Sequence, residues 1–473
     1  MTDSRIKHSG QVFTPDYLAD NILDAAGYAG PDILRKHCMD NSCGDGAFLC
    51  RIAARYAEVY RTRFPQGKEL KRELETYIHG IEKDEAARAV CLENLRATAK
   101  RFGLSQVNWN ILRADALTVS GFDGKMDFVI GNPPYVRVHN LASDYAPVKR
   151  FRFARQGMTD LYLVFFEIGF RMLAPGGRLC YIAPGSWTTS LAGTDLRNAI
   201  RTDGTLTKLI DLGHFQPFKA STYTMIVRFE NGRRHDSFDY SVYDPVRHCG
   251  QPVCRLKYDD AFIGGALYPA EPDTLKRLRA VLEQEDTPYA VVKNGFATLA
   301  DGVFIRDGFP FSGLQIPVIK ASTGKWSKAF YPYDADGKPL PRGQVFRGKT
   351  AEYLLRHREA LLKGKTEAEN PDWHLFGRTQ ALKDVQRRKY AVGSCIRDVA
   401  SIKFNAVPAG AGVYSGLYIL SDLPEKELRS AVCSEDFMEY VRALKKYKSG
   451  GYYTFSARDL EKYLNAVFAS RGN

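Results

Sequence analysis

The segment Met126-Asp127-Phe128-Val129-Ile130-Gly131-Asn132-Pro133-Pro134-Tyr135 decides how this chain is read. Its first six residues are an apolar run that reads as a buried strand. The next four leave that strand in an unusual way. Two consecutive prolines stiffen the backbone and remove two N–H donors, leaving carbonyls free to accept. Asn132 adds a side-chain carbonyl, and Tyr135 adds a flat face on which a ring can lie. Two fixed acceptors beside an aromatic plate suit a planar group carrying an NH2, such as adenine or a glutamine amide. Asn-Pro also opens ordinary turns, so the surrounding chain must decide between a site and a turn.

Outward from this segment, the first half alternates strands and helices. Strands are predicted at 37–40, 77–82, 107–114, 126–130, 178–182, 206–212 and 222–229. Helices are predicted at 47–60, 84–100, 161–173 and 196–201, with Pro175-Gly176-Gly177 as the stop after the third of these. Strands separated by helices argue for an α/β fold with a mostly parallel sheet covered on both faces. Ligands of such sheets bind beyond the carboxyl ends of the strands, and Asn132–Tyr135 sits at one of those ends. After about residue 240 the rhythm breaks into short elements with scattered Gly, Pro and Tyr. The expectation is two domains, 1–245 and 246–473, the second an irregular α+β unit.

Composition narrows the classes. The chain has 473 residues, 44% hydrophobic and 26% charged, ordinary values for a globular protein. No apolar run reaches the roughly 18 residues of a membrane span, and the first residues hold no signal-peptide core. A cytoplasmic protein with no membrane partner is expected. The nine cysteines lie mostly in apolar segments, without a Cys-x-x-Cys pair. His248, Cys249 and Cys254 are the one local cluster with metal-binding residue types, and it lacks a partner pair, so no metal is expected. Lys and Arg number 67 against 54 Asp and Glu, a net +13 that suits a polyanionic partner. Basic runs with aromatics recur late, at Lys383–Tyr390 and Arg442–Lys448.

Three strand ends carry carboxylates. Asp40 opens Asp40-Asn41-Ser42-Cys43-Gly44-Asp45-Gly46, a loop whose Gly44 and Gly46 let the backbone approach a ligand closely. It matches neither the G-x-G-x-x-G of dinucleotide enzymes nor a phosphate loop. Glu82 ends the next strand, placed to accept from ribose hydroxyls; its spacing from Gly46 exceeds the roughly 20 residues of dinucleotide folds. Asp115 ends the third, placed to accept from an adenine amino group. In order, the three form a nucleoside-recognition pattern.

With these motifs in this order, the chain resembles the gamma-class, TaqI-like DNA adenine-N6 methyltransferases of restriction–modification systems. The likeness covers nearly the whole chain. It implies a Rossmann-like domain using S-adenosylmethionine and a C-terminal target-recognition domain. By that likeness, Gly10–Pro15, with Thr14, meets the methionine part of the cofactor. Asp40, Gly44 and Gly46 lie under it, with Asn41-Ser42 where the family commonly has Pro-Ala or Pro-Ser. Glu82 binds the ribose, and Asp115 with Ala116 reads the adenine. Asn132 borders the cofactor as well as the target, and Asp160-Leu161-Tyr162 with Phe165 resembles the helix that walls the adenine pocket. Asn132, Pro133 and Tyr135 become the catalytic segment. Phe218 stacks on the flipped target base, with Phe215 as its competitor. Asn294–Thr298, Gly302–Ile305, Phe376–Arg378 and Ser394–Asp398 echo the recognition domain, although Leu299-Ala300-Asp301-Gly302 follows Thr298 where the family usually has Gly directly. The loop 136–158, with Arg137, His139, Lys149, Arg150, Arg152 and Arg155, is expected to be a mobile flap against DNA, and His139 is a lesser candidate for a general base. Double-stranded DNA is the implied partner, the chain a monomer, and a cognate restriction endonuclease a separate chain. The same chemistry also serves protein-glutamine and ribosomal-RNA methyltransferases, which are expected to lack so long a basic second domain. The glycine-loop strand begins before residue 40, which leaves no space for a fused N-terminal nuclease in this reading.

Overall fold

The alternation of strands and helices through the first half builds one nine-stranded sheet in the computed structural model, which describes residues 14–138, 147–218, 222–284 and 288–472. The strands are β1 (Cys38–Asp40), β2 (Ile78–Glu82), β3 (Asn110–Arg113), β4 (Met126–Gly131), β5 (Leu173–Pro184), β6 (Leu206–Asp211), β7 (Thr224–Glu230), β8 (Ser237–Asp244) and β9 (Cys249–Lys257). They lie in the order β3-β2-β1-β4-β5-β7-β6-β8-β9. Pairs β3·β2, β2·β1, β1·β4 and β4·β5 are parallel. β7 runs antiparallel between β5 and β6, so β6 points the same way as β1 to β5. All six therefore end on one edge, and the segment leading into β7 starts there too.

Helices cover the sheet. α1 (Asp16–Ala26), α2 (Ala47–Arg63), α3 (Leu70–Tyr77) and α4 (Glu85–Arg101) precede β4, and α5 (Leu161–Met172) joins β4 to β5. α5 is apolar almost all round, and its sequence LYLVFFEIGFRM leaves nine residues buried. Phe166 at its centre meets Tyr181 of β5 at 5.5 Å and Phe229 of β7 at 5.7 Å. Burying such a ring contributes roughly 1.5–3 kcal/mol. This packing fixes α5 over β5 and β7, and with it the residues at the start of α5.

Two expectations need correction. Pro175-Gly176-Gly177 does not separate helix from strand. β5 begins at Leu173, and the triplet lies in a register shift between the pairs Met126–Leu173 and Phe128–Arg178. The expected domain boundary at 245/246 falls in a hairpin turn. β8 and β9 pair antiparallel across it, with Val246 at the tip 87% exposed. β8 continues the sheet beside β6, and the two compact units divide at Lys276/Arg277. Asp244-Pro245 and the glycine and proline of β9 mimic a linker locally, while the antiparallel ladder from the pair Ser237–Lys257 to the pair Asp244–Cys249 belongs to a sheet.

The second unit is the irregular α+β body expected. One four-stranded sheet has the order 291–294, 417–420, 389–392, 404–407, and another 305–306, 325–330, 315–320, 412–414. Its core gathers Phe296, Phe304, Phe330, Tyr333 and Phe376. Leu299, at φ 60, holds a left-handed backbone that costs on the order of 1–3 kcal/mol for a residue other than glycine.

Candidate functional site

The loop after β1 turns sharply into α2. Gly46 is the residue before the helix at φ 86, and a Cβ there would stand 2.8 Å from the Cys91 sulfur; glycine answers both the conformation and the contact. Gly44 N donates to Glu82 Oε2 at 2.9 Å, while Asp84 N donates to Glu82 Oε1 at 2.8 Å. The Glu82 carboxylate, 6% exposed, is thereby held by backbone from both sides, with lone pairs remaining on each oxygen. A Cβ built on Gly44 meets nothing within 4 Å, so there is space over the loop. Ala114 N donates to the Glu82 carbonyl at 3.2 Å, which ties the next strand end to this one. Asp115 accepts from Leu117 N through Oδ1 at 3.0 Å, and Ala116 beside it is buried.

Asp40 is 1% exposed and accepts from Ser42 N at 3.1 Å. Burial pushes its carboxyl up to about 7, against the lowering effect of the Ser42 hydrogen bond and with the charges of Glu82 and Asp45 adding to the rise. The carboxylate lies against β4: a Cβ on Gly131 would stand 2.7 Å from Asp40 Oδ1. The glycine before Asn132 is what lets β1 and β4 close on each other at the site.

Asn132 follows. Its Nδ2 donates to Thr14 Oγ1 at 3.2 Å, and its carbonyl accepts from Ser42 Oγ at 3.4 Å. Its Oδ1 is shielded from water and has no hydrogen-bond partner among the described residues. A buried amide oxygen without a donor costs about 1–3 kcal/mol. Thr14 thus fixes the amide with its acceptor left open. Tyr135 donates its hydroxyl to the Ile182 carbonyl at 3.0 Å. Its ring meets Tyr162 of α5 edge-on at 6.4 Å and Phe218 at 6.2 Å and 69°. Phe218 is 6% exposed. Phe215 stacks instead on Tyr243 of β8 at 5.1 Å and 25°. Of the two phenylalanines, Phe218 is the one brought to Asn132–Tyr135. Phe165 is buried on α5, one turn past Tyr162.

The profile of the Eco57I restriction-modification methylase family matches residues 48–218, from the start of α2 through Phe218. The type II methyltransferase M.XhoI of Xanthomonas vasicola is 32% identical over 410 residues, 77% of this chain and 73% of that protein. The chain belongs to the type II restriction–modification methyltransferases. M.BstVI of Geobacillus stearothermophilus is 26% identical over 423 residues, covering 78% of this chain and 74% of that one. The type IIL restriction-modification enzyme MmeI, solved in complex with DNA, has the same fold: TM-score 0.64 at 13% identity, over 96% of this chain and 64% of that chain.

For this methyltransferase, the residues expected from sequence fall into two neighbouring groups. Asp40, Gly44, Gly46 and Glu82 gather at the ends of β1 and β2, with Asp115 and Ala116 beyond β3. Thr14, Asn132, Pro133, Tyr135 and Phe218 gather at the end of β4, with Ser42 bridging the groups. Ser42 and Gly131 were not among the expected site residues, and Tyr162, expected at the adenine pocket, meets the Tyr135 ring. Gly131 carried a signal, since a glycine closing an apolar strand often marks a close backbone approach. Asn41, which replaces the family's usual proline, has a partner of its own: its Oδ1 accepts from the buried Tyr181 hydroxyl at 2.9 Å. The expected flap is anchored over its described second half. Phe151 and Phe153 are buried, Phe153 N donates to Glu167 of α5 at 2.9 Å, and Arg150 donates to the Leu117 carbonyl. His139 and Gly10–Phe13 lie outside the described residues. His248 packs its ring on Tyr17 at 4.3 Å. Among the described residues no three His, Cys, Asp or Glu side chains stand together as a metal site, and no helix is long and apolar enough to cross a membrane.

Proposed function

We propose that this methyltransferase moves a methyl group from S-adenosylmethionine to the N6 amino group of an adenine flipped out of duplex DNA, as the modification component of a restriction–modification system. The observation that carries the reading is the open Asn132 Oδ1, a buried acceptor beside the Tyr135 ring. The unit to residue 276 is the catalytic domain, and residues 277–473 form the target-recognition domain. The matched family is one of restriction-modification methylases and the relatives are named type II methyltransferases, which favours DNA over a glutamine amide or ribosomal RNA as substrate.

The residues present fit the cofactor. The space above Gly44 and the anchored Glu82 carboxylate suit a ribose, Asp115 and Ala116 with Phe165 suit the adenine, and Asp40 with Thr14 borders the methionine end. S-adenosylmethionine supplies an electrophilic methyl on a sulfonium. The substrate's amino nitrogen is the nucleophile, and the chain must supply its activation and alignment. An adenine amino nitrogen is a poor nucleophile because its lone pair is spread into the ring. Asn132 Oδ1 and the Pro133 carbonyl, accepting from its two N–H groups, favour the form in which that lone pair points outward. The same fixed dipoles stabilise the positive charge that develops on nitrogen. Alignment supplies much of the rate, without a strong base before transfer. Flipping the base costs a few kcal/mol, and Tyr135 and Phe218 offset this by stacking.

The test is to express the chain in a methylation-free bacterium and map modified bases by single-molecule sequencing. N6-methyladenine at one recurring motif is the expected result. N4-methylcytosine, or methylated glutamine with unmodified DNA, would replace the reading. Asn132→Ala should lower transfer at least a hundredfold while DNA binding, measured by fluorescence anisotropy, persists. Wild-type turnover in that variant would sink the role of Oδ1.

A further inference from the structure

The second unit presents an exposed knuckle made by Leu299 and residues 377–380. Leu299 stands at φ 60 with 58% of its surface exposed. Folding by itself favours neither feature: glycine would relieve the backbone, and a polar side chain would suit water. Its side chain lies across Gly377, where a Cβ would come within 2.1 Å of Leu299 Cδ1. The two segments are tied together by backbone. Arg378 N donates to the Ala297 carbonyl at 2.9 Å, and Ala297 N donates to the Arg378 carbonyl at 3.2 Å. Lys363 Nζ donates to the Leu299 carbonyl at 2.8 Å. Beneath, Phe296 stacks on Phe376 at 4.9 Å and 23°, and Phe376 N donates to the Tyr333 hydroxyl at 2.6 Å. On this rigid base, Arg378, Thr379 and Gln380 are all exposed.

We infer that this knuckle reads base edges in duplex DNA, with Arg378 and Gln380 forming hydrogen bonds and Leu299 an apolar contact. The inference rests on the DNA-methyltransferase reading above and names where its specificity resides. An arginine fork matches the two acceptors of guanine, a glutamine matches the donor and acceptor of adenine, and an apolar side chain meets a thymine methyl. Strain kept at an exposed position is a mark of function when the scaffold holds it firmly. The unit is also suited to a polyanion: residues 277–473 hold 31 Lys and Arg against 22 Asp and Glu, most of the chain's positive excess.

The test selects bound duplexes from a randomised pool with the full chain, in parallel with a map of methylated bases. Wild type should enrich one motif. Arg378→Ala and Gln380→Ala should each broaden it at one or two positions and weaken binding to the wild-type motif about 5- to 150-fold. Arg378→Lys keeps the charge but loses the fork, so it should broaden the motif as alanine does. Leu299→Gly should broaden the motif while melting at the same temperature as wild type or higher. An unchanged motif in all four variants, or a uniform loss across sequences as from a phosphate contact, overturns the inference. So does a wild-type chain that enriches no motif. A wild type that enriches a motif, with variants that broaden it, but leaves adenine unmethylated overturns the proposed chemistry and leaves the reader standing.

Discussion

Asp40 is a carboxyl placed where folding alone would not put one. It is buried at the end of β1 against Gly131, and its carboxyl is pushed up from 3.8 to about 7. Because the folded value lies above the unfolded one, Asp40 favours the folded state fully only below about pH 4. That contribution is lost as pH rises through about 7, and the shift corresponds to roughly 4 kcal/mol. Asp40→Asn keeps the shape without the charge. It should raise the melting temperature of the free protein at pH 8, by about 2–4 °C per kcal/mol, and change it little at pH 4. Differential scanning fluorimetry across that range checks this, and an offset independent of pH would reject the assignment. Tyr135 separates ring from hydroxyl. Tyr135→Phe loses the bond to the Ile182 carbonyl but keeps the face, so target-base binding should stay within a few-fold of wild type. Tyr135→Ala should weaken it about 5- to 150-fold, the range of one stacked base, with cofactor affinity by calorimetry near wild type. Equal losses of both affinities would count against a stacking role.

At the scale of elements, periodicity gave the type and order of β1 to β7, and most ends fell within three residues. The ends that moved are those set by neighbouring strands. β3 shrank to Asn110–Arg113 because its partner β2 pairs only that stretch, and β5 gained Leu173 because Met126 pairs it. The 245/246 boundary failed for the same reason: a hairpin turn and a linker share their local residues, and only the ladder between β8 and β9 tells them apart. A fragment ending at residue 245 would strip β9 and expose the β8 edge, which invites association. Such a fragment should aggregate or melt without cooperativity, whereas one ending at 276 should give a single cooperative transition by circular dichroism. Equal behaviour of the two fragments would place β9 outside the first folding unit.

Across the whole molecule, the positive excess lies mainly in residues 277–473, so binding of duplex DNA by the full chain should be strongly salt-dependent. Affinity should fall about a hundredfold between 50 and 200 mM salt, the loss expected when roughly four phosphates are neutralised. A flat dependence in a fluorescence titration would remove electrostatics from the binding argument. Sequence by itself determined the α/β class, the three strand-end carboxylates and the Asn132–Tyr135 segment, because alternation and strand-end chemistry are local properties of the chain. Tertiary structure decided which of these meet. The strand order sets β1 beside β4, which places the Asp40 carboxyl against Gly131, and the fold brings Thr14 across 118 positions to Asn132. It also sets the Phe218 ring beside Tyr135, while Phe215 stacks on Tyr243 of β8. Strand order follows from which faces can be buried together, a non-local condition that no single stretch of sequence carries.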